Sequence, residues 1–219
     1  MTTRKYLAEL LGTFLFMTIG YSSVAAFGAA GASGLLVVPF SFGLGLLAAI
    51  FAFGHISGGH FNPAVTVAMA LDKRTLPMDA VGYIVAQVIG AIGAAALVLV
   101  VVGQGAVAAG VTKPGGGVTE IGALILEVVL TAGFVLVILT STKRAPSLAP
   151  LAIPLALIAI HFAAAPLSGA SVNPARSIGS ALVGGDLGAL WIYLVAPILG
   201  AMVGWAVFRV VDGGEEVVA

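Results

Sequence analysis

The 219-residue sequence contains no cysteine, so it can build neither a disulfide nor a thiolate metal site, and nothing in it reports on a redox compartment. Charge is almost as scarce. Lys, Arg, Asp and Glu make up 8% of the chain, against about 25% in soluble domains, while 60% of the residues are hydrophobic and the mean hydropathy is +1.17. No water-soluble surface can be assembled from that mixture. Formal net charge is zero, which by itself argues neither way about nucleic acid; the expected surroundings are a lipid bilayer and not a nucleic acid. The glycine-rich "VTKPGGG" at 111–117 lacks the G-x-x-x-x-G-K-[ST] pattern, which excludes a phosphate cradle of that type and leaves a loop.

What the chain has in quantity is apolar stretches of the length a helix needs to cross about 30 Å of hydrocarbon. Six are read, at roughly 6–27, 34–54, 80–102, 119–140, 150–166 and 188–210, giving one integral membrane domain over 1–219. The opening "MTTRKYLAELLGTF" has a basic start, but Glu9 interrupts the apolar run and no small-residue cleavage site follows, so it is expected to be the first helix and not a removed signal. With alternating crossings, Arg4, Lys5, Lys73, Arg74, Lys143, Arg144 and Arg209 fall on one side, whereas the opposite loops near 28–33, 103–118 and 184–187 contain only Lys113. The positive-inside rule then puts both termini in the cytoplasm. Arg176 belongs to no loop cluster.

Two stretches repeat. "SGGHFNPAV" at 57–65 aligns with "SGASVNPAR" at 168–176, an offset of 111, and "YIVAQVIGA" at 83–91 aligns with "YLVAPILGA" at 193–201. The chain reads as two copies of a three-helix unit, about 1–102 and 119–211. An odd number of crossings per copy turns the second copy upside down, an inverted-repeat architecture.

Asn is among the best N-caps and Pro is favoured at the first helical position, so each Asn-Pro starts a helix, at Asn62-Pro63-Ala64 and at Asn173-Pro174-Ala175. Each helix has only about ten residues, roughly 15 Å or half a bilayer. The irregular, Ser- and Gly-rich backbone before it can exist at that depth only if it is enclosed by protein or lines a water-filled cavity. Two inverted half-helices thus meet N-terminus to N-terminus, and their positive dipole ends repel cations. Each Asn side-chain oxygen caps its own helix and leaves the amide NH₂ as a donor toward the passage. A donor midpoint flanked by carbonyl acceptors orients a single file of small hydrogen-bonding molecules.

On these residues, the two NPA boxes in "HISGGHFNPAVT" and "SVNPARS", the chain resembles the aquaporin (major intrinsic protein) family, particularly its bacterial orthodox water channels. The resemblance covers nearly the whole chain. It implies an all-α membrane fold of six transmembrane helices plus two re-entrant half-helices, a passive water-selective channel excluding protons and ions, and a homotetramer in the plasma or bacterial inner membrane. It also implies a filter of Phe42, His161, Ala170 and Arg176, found by distance from the boxes. Phe, His and Arg are the water-channel choices; glycerol facilitators resemble a set with Gly for the His and Asp after the Arg, where this chain has Ser177. Ala170 is smaller than the Thr or Cys often found there, and Leu194 stands where many water channels have an aromatic. Both departures imply a slightly wide filter and make a glycerol or small-solute facilitator the alternative reading.

The family frame further implies backbone carbonyls lining the passage from Gly58, Gly59, His60 and Phe61 on one side and from Gly169, Ala170, Ser171 and Val172 on the other. Glu9 and Glu127 occupy equivalent places in the copies, and each is expected to accept N–H groups of a re-entrant loop. Small residues such as Gly90, Gly93, Ala94, Gly200 and Gly204 are read as helix-packing positions. No metal or cofactor site is expected: His55 and His60, five apart across two glycines, do not match helical zinc spacing, and no Cys or nearby acid completes a set. An intramembrane hydrolase using Ser168 or Ser171 with His161 lacks a visible group to orient the histidine, so no catalytic residue is assigned. An ion channel is disfavoured because no ring of acids lines the path and Arg176 opposes cations.

Overall fold

A computed structural model describes residues 2–212 as a bundle of helices: α1 (Thr2–Phe27), α2 (Ala32–Ser57), α3 (Pro63–Leu71), α4 (Pro77–Val102), α5 (Gln104–Ala109), α6 (Glu120–Arg144), α7 (Ala149–Ser168), α8 (Pro174–Gly184) and α9 (Leu190–Val211). No strand occurs among the described residues. Helices α1, α2, α4, α6, α7 and α9 are long and apolar enough to cross a membrane. Their outer faces carry exposed Leu35, Phe51, Val100, Ile125, Leu155 and Val210, apolar groups that only a lipid surround can solvate favourably. A helix satisfies most of its backbone polar groups internally, as hydrocarbon demands, except where Pro39, Pro154, Pro166 and Pro197 inside α2, α7 and α9 lack an N–H to donate.

The fold is two inverted copies of one unit, α1–α4 and α6–α9. Within each copy the first and last long helices pack together, α1 on α4 and α6 on α9; between copies α2 packs on α7. Both long-helix pairs approach closely at equivalent glycines. A Cβ on Gly90 would lie 2.4 Å from the Leu10 carbonyl oxygen, and one on Gly200 2.5 Å from that of Val128. Any larger side chain would force the pairs apart. The short helices α3 and α8 both sit between α4 and α9, so each half-helix is gripped by a long helix from either copy.

Polar contacts gather the basic residues at one end of the bundle. Lys5 reaches Asp79 at 3.4 Å, Arg74 donates to Thr142 at 2.8 Å, Arg144 to Asp212 at 2.7 Å, and Arg209 lies 4.0 Å from Asp72. The start of α1 and the ends of α3, α6 and α9 therefore share this basic end. Lys113 and Asp186, 3.8 Å apart, lie on the segments that join the helices at the opposite end.

The expected spans differ from the helices at their ends, where capping decides. Helix α4 starts at Pro77, an N1 proline, and not at 80; α2 continues to Ser57, where Gly58 takes a left-handed φ of 94° and closes it. Helix α5 lies inside the stretch read as loop 103–118. It is six residues long, too short for a periodic signal, and it is seated by Gln104, whose amide donates to the Val183 and Gly184 carbonyls at the C-terminus of α8.

Candidate permeation site

Each re-entrant loop is built around a buried carboxylate. Glu9, fully buried on α1, accepts from the Ser57 hydroxyl at 2.6 Å, from the backbone N–H of His60 at 3.0 Å and of Phe61 at 2.7 Å, and from the Gln87 amide at 2.8 Å. Glu127 on α6 accepts from the Ser168 hydroxyl at 2.7 Å and from the N–H groups of Ser171 and Val172, both at 2.8 Å. Tyrosines at matching places tie down the ends of α2 and α7: Tyr83 donates to the Ser57 carbonyl at 2.8 Å and Tyr193 to that of Ser168 at 2.6 Å. The loops need such support because Phe61, Ala170 and Val172 hold positive φ of 48°, 45° and 44°, a region that costs side chains with a Cβ energy.

The loops end at the two asparagines, which behave alike. The Asn62 side-chain oxygen accepts from the Ala64 N–H at 2.9 Å, and that of Asn173 from Ala175 at 3.0 Å and Arg176 at 3.3 Å. These bonds fix which amide atom is oxygen. The NH₂ groups cross over: Asn62 donates to the Val172 carbonyl at 2.8 Å, and Asn173 to that of Phe61 at 3.0 Å. One N–H of each amide is thus committed to the other loop, and the second remains as a donor. This cross-link was not foreseen from the sequence, because it joins residues more than a hundred positions apart.

A cavity runs past both asparagines. Its wall includes Phe42, His161 and Arg176 at one end, Asn62, Asn173, Ser171 and Val172 in the middle, and Gly58, Gly59 and His60 toward the basic end. It shares Gly58, His60, Met69 and Thr142 with a wider vestibule that also touches Lys5, Arg74 and Asp79, so the two spaces adjoin. Apolar Phe16, Met17, Leu46, Val65, Phe134 and Ile138 form the rest of much of the wall, and these were not picked out from the sequence since they look like ordinary core positions. Pro63, Ala64, Pro174 and Ala175 shape the helix starts without lining the cavity. Gly169, Ala170 and Phe61 are likewise not on its wall, and Ala170 is fully buried.

Three of the four expected filter residues come together. The Phe42 and His161 rings stack with centroids 4.6 Å apart, and the Arg176 guanidinium lies 5.4 Å from the Phe42 centroid. His161 Nδ1 lies 3.0 Å from the Leu157 carbonyl oxygen, which can only accept, so Nδ1 carries the proton and Nε2 of the neutral ring is an acceptor. Arg176 donates from Nη1 to the Gly110 carbonyl at 2.8 Å. Among the described residues, two buried atoms in this cluster, His161 Nε2 and Arg176 Nε, have no hydrogen-bond partner. Phe42, His161 and Arg176 line the cavity together, so an unpaired acceptor and an unpaired donor are buried in its wall. The roles of Gly110, Gln87 and Tyr21, whose hydroxyl donates to the Arg176 carbonyl at 2.5 Å, carry no sequence signal.

The two hydroxyls proposed for a hydrolase are otherwise engaged. Ser168 donates to Glu127 and Ser171 to the Asn173 carbonyl, and among the described residues neither is bonded to His161. No group of three His, Cys, Asp or Glu that could hold a metal ion occurs among them either.

The sequence matches the family described as Major intrinsic protein over residues 1–208. It is similar to the Aquaporin Z of Rhodopseudomonas palustris, 43% identical with 97% of this chain and 95% of that one aligned. The Aquaporin Z of Photorhabdus laumondii subsp. laumondii is also 43% identical, over 97% of this chain and 99% of its own. Among solved structures, the X-ray structure of the aquaglyceroporin from Plasmodium falciparum superposes with a TM-score of 0.85 over 95% of this chain and 96% of that one; at 24% identity this likeness speaks for the fold alone.

Proposed function

The chain belongs to the major intrinsic protein family, and from that premise we propose that it is a passive water-selective channel that moves water down osmotic gradients and excludes protons and ions. The observation that carries this reading is that His161 and Arg176 line one cavity beside Phe42 and that, among the described residues, His161 Nε2 and Arg176 Nε have no hydrogen-bond partner. A single water satisfies both, donating to the imidazole and accepting from the guanidinium. A glycerol carbon chain needs a wider ring and an apolar wall, and His161 takes that width.

Beyond the filter, the remaining N–H of Asn62 and that of Asn173 supply donors at the midpoint, beside the N-termini of α3 and α8. A water held there accepts twice and must turn its hydrogens outward, toward carbonyls on either side, which breaks the file along which a proton would hop. The positive helix ends and Arg176 add an electrostatic barrier to cations. Both termini and the basic end face the cytoplasm on the positive-inside argument, the channel sits in the plasma or bacterial inner membrane, and the functional unit is a homotetramer. No catalytic step is assigned to it.

Stopped-flow light scattering on reconstituted vesicles tests the reading. Osmotic shrinkage should be much faster than in empty vesicles, while a glycerol gradient should give little reswelling. Glycerol reswelling as fast as the water response would move the assignment to a glycerol facilitator.

A further inference from the structure

The segment after α5, residues 110–115, forms a strap that lies against the end of α7 and the start of α8 at three points. The Gly110 carbonyl receives Arg176 Nη1 at 2.8 Å; the Gly115 N–H donates to the Leu167 carbonyl at 2.7 Å; and Thr112 Oγ1 lies 2.7 Å from Ser177 Oγ. Packing there is tight, since a Cβ on Gly169 would come within 3.1 Å of the Thr112 methyl. Thr112 and Ser177 are 3% and 0% exposed, and neither lines the cavity.

The Thr112 contact begins a chain of hydroxyls. Ser177 Oγ lies 2.6 Å from Ser171 Oγ, which in turn reaches the Asn173 carbonyl at 3.0 Å. Three protons serve three acceptors, and the last acceptor is a carbonyl that cannot donate. Only one assignment makes all three bonds: Thr112 donates to Ser177, Ser177 to Ser171, and Ser171 to Asn173. The order has two consequences. Ser171, which lines the cavity, has its only proton turned away from the passage and presents lone pairs. Thr112, as head of the chain, fixes the strap to α8 two residues from the carbonyl that anchors the Arg176 guanidinium.

We propose that Thr112 is a positioning residue for solute exclusion, acting through Ser177 to hold the Gly110 carbonyl, and with it Arg176, at the narrow ring. This rests on the water-channel reading. Without the Thr112 hydroxyl, the one hydrogen bond left between residues 110–115 and α8 among the described residues is that of the guanidinium itself, so Arg176 and its anchor can move together and the ring widens.

The test compares wild type, Thr112→Val, Thr112→Ser and Ser177→Ala in vesicles containing equal amounts of folded protein. Water and urea permeabilities are measured on each preparation. Thr112→Val is nearly isosteric and should raise the urea-to-water ratio about fivefold, the factor by which loss of one buried neutral hydrogen bond shifts a two-state balance. Thr112→Ser retains the hydroxyl and should restore the wild-type ratio. Ser177→Ala cuts the same link from the other side and should raise the ratio as Thr112→Val does, with the double variant no leakier than either single one. A merely structural role would lower water and urea transport in proportion and leave the ratio unchanged. An unchanged ratio in either Thr112→Val or Ser177→Ala, with water flow retained, overturns the proposal; absence of water flow in the wild type overturns the channel reading instead.

Discussion

Around Asn62, the Glu9 carboxylate gathers four hydrogen bonds, one of them from Gln87 on the last long helix of its own copy; around Asn173, Glu127 gathers three. The hydroxyl four residues after each asparagine shows the same divergence. Thr66 is held by Gln87 at 2.9 Å and faces His60 Nδ1 at 3.1 Å, whereas Ser177 is held by Ser171 and by Thr112 from the strap between the copies. At the position corresponding to Gln87 the second copy has Pro197, which has no side-chain donor to offer. The walls diverge too. The counterparts of Phe42 and Arg176 are Ile153 and Val65, both on the cavity and both apolar.

What the two loops share, the carboxylate, the positive-φ turns and the crossed asparagines, creates the donor midpoint. What they do not share puts His161 and Arg176 on one part of the wall and apolar Ile153 and Val65 at the places matching Phe42 and Arg176. Selectivity against larger solutes should therefore be lost by changes near Asn173 and not by the matching changes near Asn62.

The largest effect expected from that asymmetry is in the filter itself. His161→Gly should raise glycerol permeability on the order of tenfold or more, the scale on which a pocket discriminates by size, while water flow is largely kept. Ile153→Ala, at the place corresponding to Phe42, should leave glycerol excluded. Reswelling under a glycerol gradient compares the two variants, and equal leaks would show that the constriction is not confined to one mouth.

Next in size is the support of the loops. Hydrogen bonds to a charged group are each worth about 1.5–3 kcal/mol, so Glu9→Gln should destabilise more than Glu127→Gln by roughly the single extra bond. Thermal unfolding in detergent measures this. A larger loss for Glu127→Gln would mean that the bond from Gln87 does not contribute as the geometry suggests.

Much of this comparison was legible in the sequence, because the repeat gives each local signal a partner. Asn-Pro in both copies announces a capped half-helix, and both caps are formed at Asn62 and Asn173. Glu9 and Glu127 stood out as lone acids in apolar runs, and Arg176 as a cation outside every loop cluster. The unequal supports were not legible. Gln87 lies within an apolar helix and Thr112 in a segment read as loop; each acts on a residue far along the chain, Thr66 or Ser177, and no spacing rule links them. Helix α5 was missed for the same reason, since Gln104 stabilises it through carbonyls near residue 184. Ala170, expected in the narrow ring from its distance along the chain, has a fully buried side chain, and Ser171 and Val172 next to it line the cavity.

Gln87→Leu sharpens the comparison with a smaller effect. It removes two buried hydrogen bonds on the Asn62 side, at an expected cost of about 1–3 kcal/mol for the groups left unpaired, and should leave the urea-to-water ratio at its wild-type value. A shift in that ratio would show that the Asn62 loop also sets selectivity.

The smallest effect lies at the basic end. The hydrogen bond from Lys143, then that from Arg144, holds the Asp212 carboxyl below its ordinary value of 3.8. The folded value lies below the unfolded one, so the contribution is complete above the unfolded value and is lost as pH falls through the folded one. Wild type should melt slightly above Asp212→Asn near neutral pH, and the gap should close on acidification below about pH 4, near the reference value for aspartate. A gap that widens with acid would reverse the assigned sign.

The central claim is that the crossed asparagines and the single polar ring pass water while breaking the proton path. The most direct measurement records osmotic water flow and proton flux in the same reconstituted vesicles, with a pH-sensitive dye inside and an imposed pH step. Water permeability should rise with the protein-to-lipid ratio while proton flux stays at the level of empty vesicles. A proton flux that rises with protein dose in parallel with water would contradict the account.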